Sequence, residues 1–231
     1  KLENIVSEQL VGCGFNEILN NSMSKSSYYD HDELNAYRWA NTVKVMNPLS
    51  ADLGVMRQSL VFGGLESLAR NINRKRSNLK FFEVGNAYHY DPEKDDHDNS
   101  IVAYTQESHL ALWITGKRVE GSWAHPDEDT SFYELKAYVE NILVRLGVDM
   151  KRLVMSQFSS DLYAAGLTIC SGAGRQLGTL GIVQKKICKQ LDIDVEVYYA
   201  ELSWTTLMKE IKKAAVTFSE ISKFPAVKRD L

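Results

Sequence analysis

Four groups of residues carry the side chains that chemistry would need. Arg70, Arg74, Lys75, Arg76 and Lys80 make the densest basic cluster. Two readings of it stand side by side. It is a face for RNA or nucleotide phosphates, or it is the cationic end of a helix complementing its macrodipole. Aromatic residues do not interleave with it, so a base-stacking platform is not supported. The second group is Asp91, Glu93, Asp95, Asp96 and Asp98 around His97, carboxylates that could face a divalent cation. Their order lacks the central glycine and closing glutamate of an EF-hand loop, and a run of like charge is expected to be a solvated turn.

The third group is Gly172, Gly174, Gly178 and Gly181. A dinucleotide loop needs GxGxxG between strand and helix, and a P-loop needs GK[ST]. The run GAGRQLG leads instead from strand to strand and reads as a hairpin turn. The fourth group is His31, His89, His97, His109 and His125, which share no ligand spacing, and neither GxSxG nor HExxH occurs. Cys13, Cys170 and Cys188 are far apart, with no CxxC pair, and read as buried free thiols of a reducing compartment.

The elements that must position these groups follow from period and punctuation. Leu2, Ile5, Val6 and Leu10 form the stripe of an amphipathic helix over Leu2–Cys13, closed by Gly12 and Gly14. Phe15–Met23 reads as a strand and Ser26–Tyr29 as a short helix. Val43–Met46 reads as a strand ended by Asn47-Pro48, and Val55–Arg57 re-enters extended chain. Ser59 caps a helix over Leu60–Ile72, and Lys80–Tyr90 is a half-buried strand. His109–Thr115 is a strand and Gly116–Thr130 a loop. Asp129 and Thr130 cap a helix over Phe132–Leu146 that Gly147 ends. Leu153–Phe158, Ala164–Ser171, Gln176–Val183 and Val195–Leu202 are strands. Gln184–Leu191 and Thr205–Lys213 are short helices, and Phe218–Leu231 is extended. Strands and helices in this order suit an α+β fold, helices on one face of an antiparallel sheet.

The chain has 231 residues, 44% hydrophobic and 25% charged, enough for one large domain or two small ones. A net charge of −3 argues against a mainly electrostatic nucleic-acid binder but not against a local basic face. No apolar run approaches the roughly 20 residues of a membrane span, and no signal peptide is visible. With no initiator Met, the chain reads as a piece of a longer cytoplasmic protein.

The run VKVMNPLSADLGVMRQSLVFGGLESLARNINRKRSNLKFFEVGNAY resembles the catalytic-like core of the bacterial phenylalanine–tRNA ligase beta-subunit family. So do FNEILNNSM, DTSFYELKAYVENIL, GTLGIV, YYAELSWTTL and ISKFPAVKRDL, in order and nearly end to end. The resemblance implies the class II aminoacyl-tRNA synthetase fold, an antiparallel sheet flanked by helices. It assigns residues 1–213 to the core and 214–231 to a linker toward an anticodon-binding-like domain, with editing and tRNA-elbow modules preceding.

The resemblance also implies an absence. Class II chemistry uses one arginine on the motif 2 strand and another at the start of the motif 3 helix to hold ATP and the acyl carboxylate. The corresponding stretches, Phe82–His89 and Tyr199–Thr205, contain none, and His89 stands where the catalytic chains of the family carry arginine. The motif 1-like stretch, residues 2–23, lacks the usual proline. The domain is therefore expected to supply no catalytic residue and to hold no cofactor or metal. ATP and magnesium belong to a holoenzyme of two alpha and two beta chains that charges tRNA(Phe). Leu2, Ile5, Val6 and Leu10 are the expected interface with the alpha subunit, and Arg70, Arg74, Lys75 and Arg76 the expected RNA contacts. Two alternatives remain: a tRNA-binding module built on residues 70–80, and an active class II ligase or acyltransferase with atypical residues.

Overall fold

Two long segments, Leu79–Tyr90 and Tyr104–Thr115, pair antiparallel along their whole length within one large sheet. The computed structural model describes residues 1–29, 37–95 and 100–211, with positions 220, 224 and 229. In chain order it begins with α1 (Leu2–Gly12), β1 (Asn16–Glu17), β2 (Met23–Ser24), β3 (Val55–Met56), α2 (Val61–Ile72) and β4 (Leu79–Tyr90). Then come β5 (Tyr104–Thr115), β6 (Lys117–Val119), β7 (Glu128–Asp129), α3 (Phe132–Arg145) and β8 (Leu153–Phe158). The last are β9 (Tyr163–Ser171), β10 (Gln176–Val183), α4 (Lys185–Gln190), β11 (Val197–Ser203) and α5 (Trp204–Ile211). The large sheet has seven strands in the order β1-β4-β5-β11-β10-β9-β8. Only β1 runs parallel to its neighbour; every other pairing is antiparallel.

Each strand sends alternate side chains to opposite faces. Leu110, Leu112 and Ile114 of β5 join Tyr198, Ala200 and Leu202 of β11 in a core that α1, α3 and α5 cover. Ala111 and Trp113 join Val197 and Tyr199 in a second core covered by α2 and α4. Helices therefore flank the sheet on both faces, a correction to the one-face expectation. A 3.6-residue period shows that a helix has an apolar stripe, not which face of a sheet will receive it. The approach of α2 is close. A Cβ on Gly64 would lie 2.0 Å from a ring carbon of Trp113, so only glycine lets the helix sit there.

Several elements depart from expectation. Phe15–Met23 is no continuous strand but splits into β1 and β2. After Ile18 N–H donates to Phe82 O, Asn20 turns aside to bond the Glu83 carboxylate. Val43–Met46 contributes only a single bridge, Lys44 to Val55, because β3 pairs with β2. The expected loop Gly116–Thr130 contains the ribbon of β6 and β7. Ser131, not Asp129 or Thr130, caps α3 by accepting from Glu134 N–H. Gly147 ends that helix at φ +82° as expected. Asp96, His97 and Asp98 of the acidic stretch lie outside the described residues, as does nearly all of 214–231. Among the described residues no helix is long and apolar enough to cross a membrane.

Candidate functional site

Helix α2 covers only part of its face of the sheet. Beyond its first turn the same alternation that buries Trp113 and Tyr199 turns polar. Glu83 and Glu201 both lie opposite Ala111, and Gly85 and Ser203 both lie opposite His109. Parity therefore gathers Glu83, His89, Glu107, His109, Glu201 and Ser203 on one face. A cleft of about 430 Å³ opens there, lined by His89, Glu107, His109, Glu201 and Ser203. Its walls come from Gln58 and Ser59 ahead of α2, from Tyr37, and from Phe158, Tyr163 and Thr179.

Arg57 is the cation nearest this face by bonding, and it is already paired. Its Nη1 lies 2.7 Å from Glu83 Oε1, with side chains only 5% and 0% exposed. Its Nε donates to Asn86 O at 2.8 Å. Asn20 Nδ2 donates to the other Glu83 oxygen at 2.7 Å and Ser67 Oγ donates to Asn20, so the buried pair is hydrogen-bonded on both sides. Gly85 leaves the space: a Cβ there would meet Arg57 Nη2 at 2.3 Å.

Glu201 is the second hub. Ser59 Oγ donates to it at 2.6 Å, Tyr199 OH at 2.7 Å, Leu60 N–H at 3.1 Å and His109 Nδ1 at 2.8 Å. Its carboxylate thus occupies the N-terminus of α2, where a helix favours an anion. Ser59 was expected to cap α2. It does accept from Val61 N–H, but its own proton is given to Glu201. Burial pushes the Glu201 carboxyl up, but His109, Ser59 and Tyr199 together hold it down to about 2. Burial lowers the His109 imidazole, but the bond to Glu201 and the charges of Glu201 and Glu107 outweigh it and raise it above the ordinary histidine value. His89, half-buried and beside His109, is lowered by desolvation and the His109 charge.

The residues singled out from sequence scatter around this cleft. Val6 and Leu10 are 1% exposed and belong to the chain's own core, a correction to their expected place at a subunit interface. Leu2 and Val11 stay exposed, and Ile5 lines a groove with Val144 of α3. Arg74, Lys75 and Arg76 are exposed beyond the end of α2, with no ion pair among the described residues, while Arg70 lies 3.9 Å from Glu66. Lys80 leaves the cluster: it bonds Glu134 and Tyr138 on the opposite face of the sheet. The glycines at 172 and 174 make the β9–β10 turn. Among the described residues no group of three His, Cys, Asp or Glu is placed to hold a metal ion. The cysteines are free, but only Cys188 is buried, its thiol pushed up to about 11 by burial; Cys13 is exposed.

The sheet order and its two helical layers are those of a class II aminoacyl-tRNA synthetase. Two solved structures of a pyrrolysyl-tRNA synthetase from Desulfitobacterium hafniense superpose on 94% of this chain, covering 70% and 73% of those chains. Their TM-scores are 0.62 and 0.61 at 15% identity, a likeness of fold. Within that class the chain belongs to the family described as Phenylalanyl tRNA synthetase beta chain CLM domain, which it matches over residues 1–204. It is 57% identical to the phenylalanine–tRNA ligase beta subunit of Bacteroides fragilis, 55% to that of Bacteroides thetaiotaomicron and 43% to that of Porphyromonas gingivalis. Each match takes in all of this chain and 28% of the relative, so the chain spans little more than a quarter of those proteins.

Proposed function

We propose that this domain is a non-catalytic copy of the synthetase core within a phenylalanine–tRNA ligase beta subunit. In this reading it serves as scaffold while an alpha subunit attaches phenylalanine to tRNA(Phe) with ATP and magnesium, in the cytoplasm, two chains of each kind per enzyme. One observation carries the reading. Among the described residues the cleft is lined by no arginine or lysine, and both of its anion-holding devices are filled from within. Glu83 neutralises Arg57, and Glu201 sits on the α2 N-terminus. Adenylate formation builds negative charge that needs preorganised cationic donors, and a pocket holding Glu107 and Glu201 repels triphosphate instead. Beyond the arginines missing from Phe82–His89 and Tyr199–Thr205, the internal carboxylates bar a triphosphate more strongly.

The scaffold role needs a surface for the alpha subunit. Exposed Leu2 and Val11 of α1 and Val144 of α3, with half-buried Ile5 lining a groove beside Val144, replace the face first expected. Both halves of the proposal are tested in the enzyme reconstituted from alpha and complete beta chains. Ser203→Ala in the cleft is expected to leave the kcat of aminoacylation within about twofold, since removing a catalytic hydrogen bond costs far more, about 100-fold. Ile5→Glu with Val144→Glu is expected to weaken alpha–beta association at least about tenfold by burying unpaired charge. A large loss of kcat from Ser203→Ala in an intact complex defeats the non-catalytic reading. Unchanged association of the double variant defeats the groove.

A further inference from the structure

The cleft that cannot take an anion still has an open ionic group. Glu201 is saturated by four donors, but the Glu107 side chain is 47% exposed and faces His109 Nε2 at 3.6 Å, ion-pair range but longer than a hydrogen bond. His109 Nε2 is itself buried with no hydrogen-bond partner. Around them the walls are aromatic and neutral. Tyr37, Phe158 and Tyr163 line the cleft with Gln58 and Thr179, and Phe158 meets Tyr163 edge-on at 5.4 Å. A volume of about 430 Å³ falls within the range of small-molecule sites.

We infer that this cleft binds a small organic cation, a protonated amine on an aromatic or aliphatic body, with Glu107 as its ionic anchor. The ammonium takes the half-exposed Glu107 carboxylate in a charge-assisted hydrogen bond, in place of a protonated His109, and aromatic faces favour a cation within reach. The hydrocarbon body packs against the wall that Phe158 and Tyr163 form together. The same side chains set the specificity. A ligand that also carries a carboxylate or phosphate finds no arginine or lysine among the described lining residues and meets Glu201, so amino acids and nucleotides are excluded while simple amines and amino-acid esters are admitted. His109 adds a pH dependence. Protonated, it faces Glu107 and competes for it; Glu201 pairs with it from β11, and His89 from β4 is the other titratable group beside it. Binding therefore strengthens as pH rises through the His109 titration, until the amine itself loses its proton.

This inference rests on the non-catalytic reading of the cleft, and its test separates the two. The complete beta chain, bound to its alpha partner and labelled at histidine, is titrated with 2-phenylethylamine, phenylalanine, 2-phenylethanol and ATP. The imidazole signals of His89 and His109 report on this cleft alone, whatever the ligands do elsewhere on the enzyme. The amine is expected to shift both signals saturably, with phenylalanine and 2-phenylethanol at least about tenfold weaker and ATP without effect. Glu107→Gln, which keeps the shape and removes the charge, is expected to weaken the amine about tenfold. Equal binding by Glu107→Gln, or no shift by the amine, overturns the inference and leaves the non-catalytic reading standing. Saturable shifts by ATP overturn both.

Discussion

Arg57 and Glu83 together decide the character of the cleft, and removing one alone should be costly. Arg57→Met leaves a carboxylate that is 0% exposed without its cation, and breaking such a pair costs about 3–5 kcal/mol. The double variant Arg57→Met with Glu83→Leu is expected to cost much less than either single change, because no buried charge remains. Urea denaturation of the three variants, read at constant m-value, checks this. The His109–Glu201 pair is tested by titration. With its pKa raised, His109 gives stability that is fully present below its unfolded value near 6.5 and lost as pH rises through the higher folded value. Glu201, held down to about 2, gives stability that is present above its unfolded value of 4.5 and lost as pH falls through about 2. The pair is strongest between those limits, and histidine NMR is expected to show His109 titrating above 6.5 and His89 below it; the reverse order would remove the pairing. Little of this site was legible beforehand. Arg57 and Glu83 are 26 positions apart, and Ser59 and Glu201 are 142, with no motif linking them. A signal did exist: Glu83 in FFEV and Glu201 in YYAEL are charges at inward positions of apolar strands, which only a partner could make tolerable.

At the scale of elements, α2 holds both themes of the sequence: its first turn is capped by Glu201 and its far end carries the basic cluster. Only Arg74, Lys75 and Arg76 present unpaired charge there among the described residues, and Lys75 takes φ +65° in the turn that projects them. An RNA-facing role predicts that Arg74→Glu with Arg76→Glu weakens tRNA binding to the assembled enzyme and lowers the slope of log K against log salt by about two. An unchanged slope, measured by filter binding, returns the cluster to the bland role of a helix end. The long strands β9 and β10 were readable because the Gly172–Gly174 turn punctuates two short apolar runs. Of the small ribbons only β3 was readable, within Val55–Arg57; β2 and β7 were not, being two-residue pairings set by tertiary neighbours rather than by period. The helical layers were half-readable: stripes marked α1 and α3, but the sheet's own two-sided alternation in β5 and β11 was the evidence for two cores.

As a whole molecule the chain keeps the class II frame while its cleft supplies its own counter-charges. The apolar end of the sheet, with Trp113, Tyr199 and Gly64, preserves the packing of α2; the polar end turns buried acids toward Arg57 and the helix N-terminus. On the proposed reading, stability and subunit contact are retained without adenylate chemistry. Pyrophosphate exchange tests this most directly, run with ATP, magnesium and phenylalanine on the complete beta chain alone, on alpha alone and on the reconstituted pair. The expected result is exchange by the pair and none above background by beta alone. Exchange by beta alone that saturates with ATP and phenylalanine, and is lost with Ser203→Ala, would contradict the account.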